Sequence, residues 1–452
     1  MQRKIFSWID SIALAILVLC MCTQIDIGAI GRETLSQGFA TKRLFIALPD
    51  VMLLAVFVWF VLRTSLLRAW KKIWWPPFPC FALVACLILS MVHSRPLILA
   101  VQNSLADTHG ISHILKAILT TKEFKEAVAQ ILQWTGFFVF APLIFVNLIY
   151  DRSGAKVLLR RRLALACLAI GVIAAVVVHY LPNRALAEMW FSAPNMYGGF
   201  LAIAVPLIFT KVLSHRVKTK AEWVWISGLF GMMALVALLY TMMDLWSVAA
   251  LFIGVLVAGF LFKARARTAT IVILSLIFVL ALWPKQQVQN VYRFQTWQVP
   301  SETQAVKKQY IEWYVAARRT IDPRMHAFAT GIGAGNYQFS IGSYYARLPN
   351  EEKMPPGSNN LYLVQADSIG ILGLAALLWM LGYFFKRAYE ATRMNRNDWL
   401  GAGVIGLLVS FLFVNNFHAL IVRGIGLVLV FAFSLAVVAK MQAEAMLKET
   451  ET

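Results

Sequence analysis

"PPGSNNLYLVQADSIGILGLAALL" (Pro355–Leu378) decides how the chain is read, because a polar stretch ends there and a long apolar run begins. From Leu361 the run carries a single charge, Asp367, before Lys386. Its apolar residues follow one another without the polar alternation of a strand, so the segment reads as a buried or lipid-facing helix. Asn359 and Asn360 stand side by side on the threshold. They have two readings: helix-capping amides, or a hydrogen-bonding pair aimed at a ligand.

The same pattern recurs through the chain. Of its 452 residues, 60% are hydrophobic and 14% charged, with a mean hydropathy of +0.68. Soluble domains have about 45–50% apolar and 25% charged residues, so the composition defines a polytopic membrane protein. About twelve apolar segments have the length to span a bilayer. They are 8–25, 44–62, 78–94, 130–149, 163–181, 196–213, 224–242, 246–262, 268–283, 362–385, 400–417 and 419–439. Continuous apolarity excludes a β-barrel, and the expected class is all-α. Residues 1–283 form spans one to nine, 284–361 a long loop, 362–440 the last three spans and 441–452 a tail. The first span follows Arg3 and Lys4 but has no small-residue cleavage site, so it is expected to stay uncleaved.

The net charge of +20 does not indicate nucleic acid. The basic residues fall in blocks between apolar spans, which is a signal of membrane orientation. Placing the N-terminus inside puts twenty Lys and Arg in the short internal loops, among them Arg63, Lys71, Arg160, Arg161, Lys211, Lys263 and Arg387. Eight fall in external loops other than the long one. Both termini are therefore expected in the cytoplasm. The five cysteines lie in apolar spans without metal spacing and read as small core residues.

Two external segments are too long to be mere connectors. The first, 94–129, includes "TTKEFKEAVAQIL", a helical pattern suited to the membrane interface. The second is the 284–361 loop, with nine basic and five acidic residues. Within it "ETQAVKKQYIEWYVAARRTI" (Glu302–Ile321) spaces Val306, Tyr310, Trp313 and Ala317 as an amphipathic helix. "GIGAGNYQF" then supplies glycines at 331, 333 and 335 for a turn requiring positive φ.

Lys307, Lys308, Arg318, Arg319 and Arg293 are candidate ligands for phosphate, with Arg423 near the start of the last span. Lys308 and Arg319, eleven residues apart, share one helical face. The other reading is a solvated basic face touching anionic lipid. Asp244, at the external end of a span, is a candidate base. Charge is nearly absent from the span centres, which argues against an ion-coupled transporter. Too few polar residues line the spans for an exporter.

The order of three blocks resembles the O-antigen ligase/O-antigen polymerase superfamily. "SAPNMYGGFLAIAVPLIFT" (Ser192–Thr210) is similar to that family's Asn-Pro-Asn-like entry into a span. "YIEWYVAARRTIDPRMHAFATGIGAGNYQF" (Tyr310–Phe339) is similar to its Trp-containing helix and glycine turn. "SNNLYLVQADSIGILGLAALL" (Ser358–Leu378) is similar to its His-Asn-x-Tyr-Leu segment and following helix. The resemblance implies a GT-C-like, metal-independent inverting transfer with no cofactor. A glycan would pass from an undecaprenyl-diphosphate carrier to an acceptor hydroxyl at the outer face of the bacterial inner membrane, and the long loop would be periplasmic. Implied partners are the lipid-linked saccharide, membrane lipid and polysaccharide assembly proteins, with no nucleic acid. Three positions depart from the family. Its histidine falls on Asn359, with Asn360 as the partner amide; an arginine falls on Gln309, beside Lys308; and the turn at Thr241–Val248 has no arginine. Either the site is rearranged, with Asn359 and Asn360 orienting the acceptor, or the chain is an inactive homologue that binds lipid-linked saccharide or assembly partners.

Overall fold

The computed structural model describes residues 2–23, 26–29, 45–92, 121–150, 155–180, 194–214, 245–262, 302–321, 328–345, 360–394, 399–417, 419–421 and 423–451. The expected spans 224–242 and 268–283 lie outside these residues, as do Asp244, Arg293 and Asn359.

Helices make up nearly all of the described chain. They are α1 (Gln2–Met21), α2 (Leu48–Leu66), α3 (Phe78–Val92), α4 (Lys122–Thr135), α5 (Ala141–Ile149), α6 (Ala155–Tyr180) and α7 (Pro194–Leu213). After these come α8 (Leu245–Leu261), α9 (Glu302–Ile321), α10 (Tyr337–Tyr345), α11 (Leu361–Ser368), α12 (Gly370–Met394), α13 (Trp399–Val414) and α14 (Arg423–Glu451). A short antiparallel pair, Asp26–Ala29 with Phe45–Ala47, leads into α2.

Among the described residues, four helical stretches are long and apolar enough to cross a membrane: Leu48–Leu66, Phe124–Ile149, Gly370–Met394 and Ile425–Leu447. Shorter apolar helices, including α3, α7, α8 and α13, pack among them. The outer faces are themselves apolar. On α2, Leu54, Val58, Leu62 and Leu66 form an exposed stripe at four-residue spacing, and Trp8, Ile12, Ile16 and Leu19 form another on α1. Water does not tolerate contiguous apolar faces of this extent, whereas lipid does. The fold is that of a helical membrane protein.

Small residues set the closest crossings. α13, buried along most of its length, presses Gly406 against α8, where an added Cβ would fall 2.5 Å from the Gly254 carbonyl oxygen. Ser410 Oγ donates to the Ala250 carbonyl at 2.7 Å across the same contact. Close backbone approach of this kind replaces the hydrophobic effect as the means of holding helices together in lipid. Gly406→Val is therefore expected to separate α8 from α13 and lower the thermal midpoint in detergent. Ser410→Ala is expected to cost less, on the order of 0.6–1.7 kcal/mol. Equal midpoints for Gly406→Val and the parent protein would refute the crossing.

Two sequence expectations are corrected. "TTKEFKEAVAQIL" is not a separate interfacial helix. It forms α4, which continues through a π-helical turn (Gly136–Phe140) into α5 and so completes the Phe124–Ile149 span. Pro142 explains the π turn, since its missing N–H interrupts the regular ladder. The expected span 362–385 is also not continuous. It breaks at Ile369, giving the short α11 and then the longer α12.

The two ends of the bundle differ. At one end α9, α10 and α11 form a layer with its own small core of Ile311, Val315, Ala316, Tyr337, Ile341 and Tyr345, against which Leu363 and Val364 pack. At the other end gather Arg63, Arg160, Arg161, Lys211 and Arg387. Asp10, buried in α1, takes Arg63 at 3.2 Å and Arg160 at 3.5 Å. Arg160 also donates to the Leu148 carbonyl and to Ser7, so this network joins α1, α2, α5 and α6.

Candidate functional site

The capping layer is positioned by a knot of backbone hydrogen bonds. Breaking α11 from α12 leaves carbonyls at one helix end and N–H groups at the next without intrahelical partners. The glycine turn supplies both sets. Ile332 N–H donates to Asp367 O and Gly333 N–H to Ser368 O, each at 3.0 Å. Ile371 and Leu372 N–H donate to the carbonyls of Phe328 and Ala329, at 2.9 and 3.3 Å. Gly331, Gly333 and Gly335 all have positive φ, at 78°, 108° and 78°, as their spacing in the sequence predicts. Gly370 has a φ of 71° and lies against Gly331. The turn also reaches the spans, where Ala334 N–H donates to Ser90 Oγ of α3 at 3.2 Å.

α9 is fixed at the same end of the bundle. Trp313 Nε1 donates to the Asn416 carbonyl at 3.1 Å, and its ring lies 5.5 Å from Phe417. Phe417 stacks face to face on Trp246 of α8, 3.7 Å between centroids. The tryptophan that carries part of the family resemblance thus anchors the layer to α13 and α8.

The buried face of α9 is not the one its hydropathy predicts. Tyr310 is 68% exposed, while Ile311, Glu312, Val315, Ala316 and Arg319 are buried. Hydropathy fails here because two of the buried side chains are charged, and what compensates Arg319 lies on another helix. Arg319 Nη1 faces Asp367 Oδ2 of α11 at 3.6 Å, with the two residues 2% and 5% exposed. Tyr344 of α10 places its ring 5.4 Å from the guanidinium.

The pairing is incomplete. At 3.6 Å the Nη1–Oδ2 contact is an ion pair without a hydrogen bond. Arg319 Nε and Nη1 and Asp367 Oδ2 are buried and have no hydrogen-bond partner among the described residues. Burial pushes the Asp367 carboxyl up to about 6, against the lowering pull of Arg319. The Tyr337 phenol is pushed up as well, first by burial and then by Tyr345, Asp367 and Glu312. Glu312, Arg319 and Asp367 therefore each sit within electrostatic reach of Tyr337, in a layer that lies ahead of the Gly370–Met394 span in the chain.

Asn360 is the N-cap of α11, its Oδ1 accepting from Leu363 N–H at 3.0 Å. Of its two readings, capping is the one the geometry exhibits, and the cap belongs to the short helix instead of a long span. Its Nδ2 amide is the group still able to meet a ligand. Arg318 is exposed, with Nη1 on Tyr314 Oη at 3.3 Å, so it and Arg319 point apart. Lys307 and Lys308 lie in the first half of α9, and Arg423 begins α14. The acids Glu312 and Asp367 escape sequence reading as site residues. The signal available was the presence of Asp367 alone in an apolar run.

A cavity of about 200 Å³ lies at the opposite end, among Trp74, Tyr383, Arg387, Lys440 and Glu444. Its cations are already matched, Arg387 by Glu390, and Lys440 by Glu390 and Glu444.

The site and fold define a helical membrane protein with a helical layer held over one end of the bundle. The sequence matches no known family model, and no curated protein is significantly similar to it.

Proposed function

We propose that the chain is an O-antigen ligase/polymerase-like glycosyltransferase of the bacterial inner membrane, with about twelve spans and both termini cytoplasmic. It transfers a glycan from an undecaprenyl-diphosphate carrier to an acceptor hydroxyl on the periplasmic side. One observation carries the reading. The second and third resembling blocks, separated by 18 residues in sequence, meet in one layer, where α9, the glycine turn and α11 share hydrogen bonds and a core. A diphosphate is a good leaving group, so transfer requires an anion grip and a proton acceptor more than a metal. In this reading Lys307, Lys308 and Arg318 grip the diphosphate, with Arg293 and Arg423 as further cations. Asn359 and Asn360 orient the acceptor, and Asp244 is a candidate base.

The test uses the full chain in nanodiscs with a defined undecaprenyl-diphosphate oligosaccharide. Lys308→Ala and Arg318→Ala are each expected to lower kcat/KM for the donor about tenfold or more, as loss of a charge-assisted hydrogen bond of about 1.5–3 kcal/mol implies. Unchanged turnover in the double variant would remove the grip. A second reading, a carrier-lipid-binding homologue without turnover, is favoured by the commitment of Asn360 Oδ1 to its cap. It predicts donor binding with no transfer.

A further inference from the structure

The candidate base Asp244 lies outside the described residues, so the described part of the proposed site still lacks a proton acceptor. An asparagine amide cannot accept the acceptor hydroxyl's proton, and Asn359 stands where the resemblance places a histidine. Following α11 inward from Asn360, the face that carries Leu363 and Val364 packs on α9 and α10. Asp367 lies seven residues beyond Asn360, which is close to two turns and returns to that same face. It is a buried carboxylate whose Oδ2 meets no hydrogen-bond donor. Arg319, the cation beside it among the described residues, leaves its own Nε and Nη1 without hydrogen bonds there. Buried polar atoms are nearly always satisfied. Unmet acceptor and donor atoms side by side are groups whose hydrogen bonds a ligand hydroxyl would complete.

We infer that Asp367 is the base that receives the acceptor hydroxyl's proton, and that Arg319 is a positioning residue on the proton-acceptor side of the site. The inference rests on the glycosyltransferase reading and gives Arg319, a diphosphate candidate by sequence alone, a place outside the grip. In the step, the acceptor oxygen forms a bond to the anomeric carbon while its proton passes to the Asp367 carboxylate. The bond from the anomeric carbon to the diphosphate oxygen breaks, and the diphosphate leaves with the electron pair. No oxidant, reductant or further reactant is needed. Among the described residues, the charged and titratable groups near Asp367 are Arg319 of α9, 3.6 Å away, and Tyr337 of α10, which Glu312 and Tyr345 also reach electrostatically. Glu312 is thus the competing acid.

The two roles have opposite pH signatures. A base works when ionised, so transfer should rise with pH up to about 6, where the Asp367 carboxyl ionises, and then level. Fold stability should move the other way over the same window. The carboxyl is raised above its unfolded value, so the folded state holds the proton more tightly and loses stability as pH rises towards about 6. A purely structural Asp367 gives the second trend without the first.

The experiment measures transfer from an undecaprenyl-diphosphate oligosaccharide against pH in nanodiscs, with thermal melts in parallel. Asp367→Glu keeps the charge and is expected to fold, with reduced kcat and a displaced acid limb. Arg319→Gln/Asp367→Asn carries no buried charge at the pair and is expected to fold with kcat down about 10²- to 10⁴-fold, KM for the donor little changed and no limb near 6. Retention of the limb and of kcat in that double variant overturns the inference, as does loss of the limb in Glu312→Gln with its persistence in the Asp367 variants. Absence of transfer by the parent protein while the donor binds counts against the glycosyltransferase reading itself, a result distinct from either.

Discussion

Asp367→Leu alone should lower stability by about 3–5 kcal/mol, because it leaves the Arg319 guanidinium buried and without a counter-charge. Arg319→Met alone should cost a similar amount by stranding the carboxylate. Made together, Arg319→Met and Asp367→Leu should recover most of the loss or exceed the parent, since apolar residues of similar volume suit an enclosed site at least as well as an ion pair. The reasoning depends on geometry, with both residues at least nine-tenths buried and their contact at 3.6 Å too long for a hydrogen bond. Unfolding in mixed micelles, read by tryptophan fluorescence, measures each variant. Additive losses in the double variant would show that the two charges do not compensate one another. The doubly apolar protein should still lack glycan transfer if Asp367 is the base, so stability and activity separate within one set of variants.

Gly331→Ala should detach the glycine turn from the α11–α12 break while leaving the spans folded. A Cβ at Gly331 would lie 2.3 Å from the Ser368 carbonyl oxygen and 2.5 Å from the Gly370 nitrogen, both backbone atoms that cannot swing aside. The φ of 78° adds about 1–2 kcal/mol for any L side chain. Separating the segments also gives up hydrogen bonds at 2.9–3.3 Å, each with a net value of about 1 kcal/mol. Gly370→Ala should act in the same way, its Cβ falling 2.2 Å from the Ala329 carbonyl oxygen. Hydrogen exchange should rise at Ile332, Gly333, Ile371 and Leu372, with helical circular dichroism unchanged. Full protection at those four amides in either variant would contradict the steric argument.

How far the sequence reaches is clearest at particular elements. Continuous apolarity identified the helices, since a backbone in lipid must satisfy its own hydrogen bonds and a helix does so within one segment. The 2-residue glycine spacing at 331, 333 and 335 identified a turn needing positive φ, because that requirement is local. The buried face of α9 was not legible in the same way. Periodicity counts apolar residues, and Glu312 and Arg319 are hidden although charged.

The sequence by itself determined the helical membrane class, the basic amphipathic helix and the glycine turn, all of which follow from local hydropathy and backbone freedom. Only the tertiary structure decided that α12 begins after a break, that the turn closes the exposed ends of that break, and that Arg319 faces Asp367 and not open solvent. The physical reason is distance along the chain. A buried charge becomes tolerable through a partner 48 residues away, at 3.6 Å in space, and no local property of either segment records that meeting.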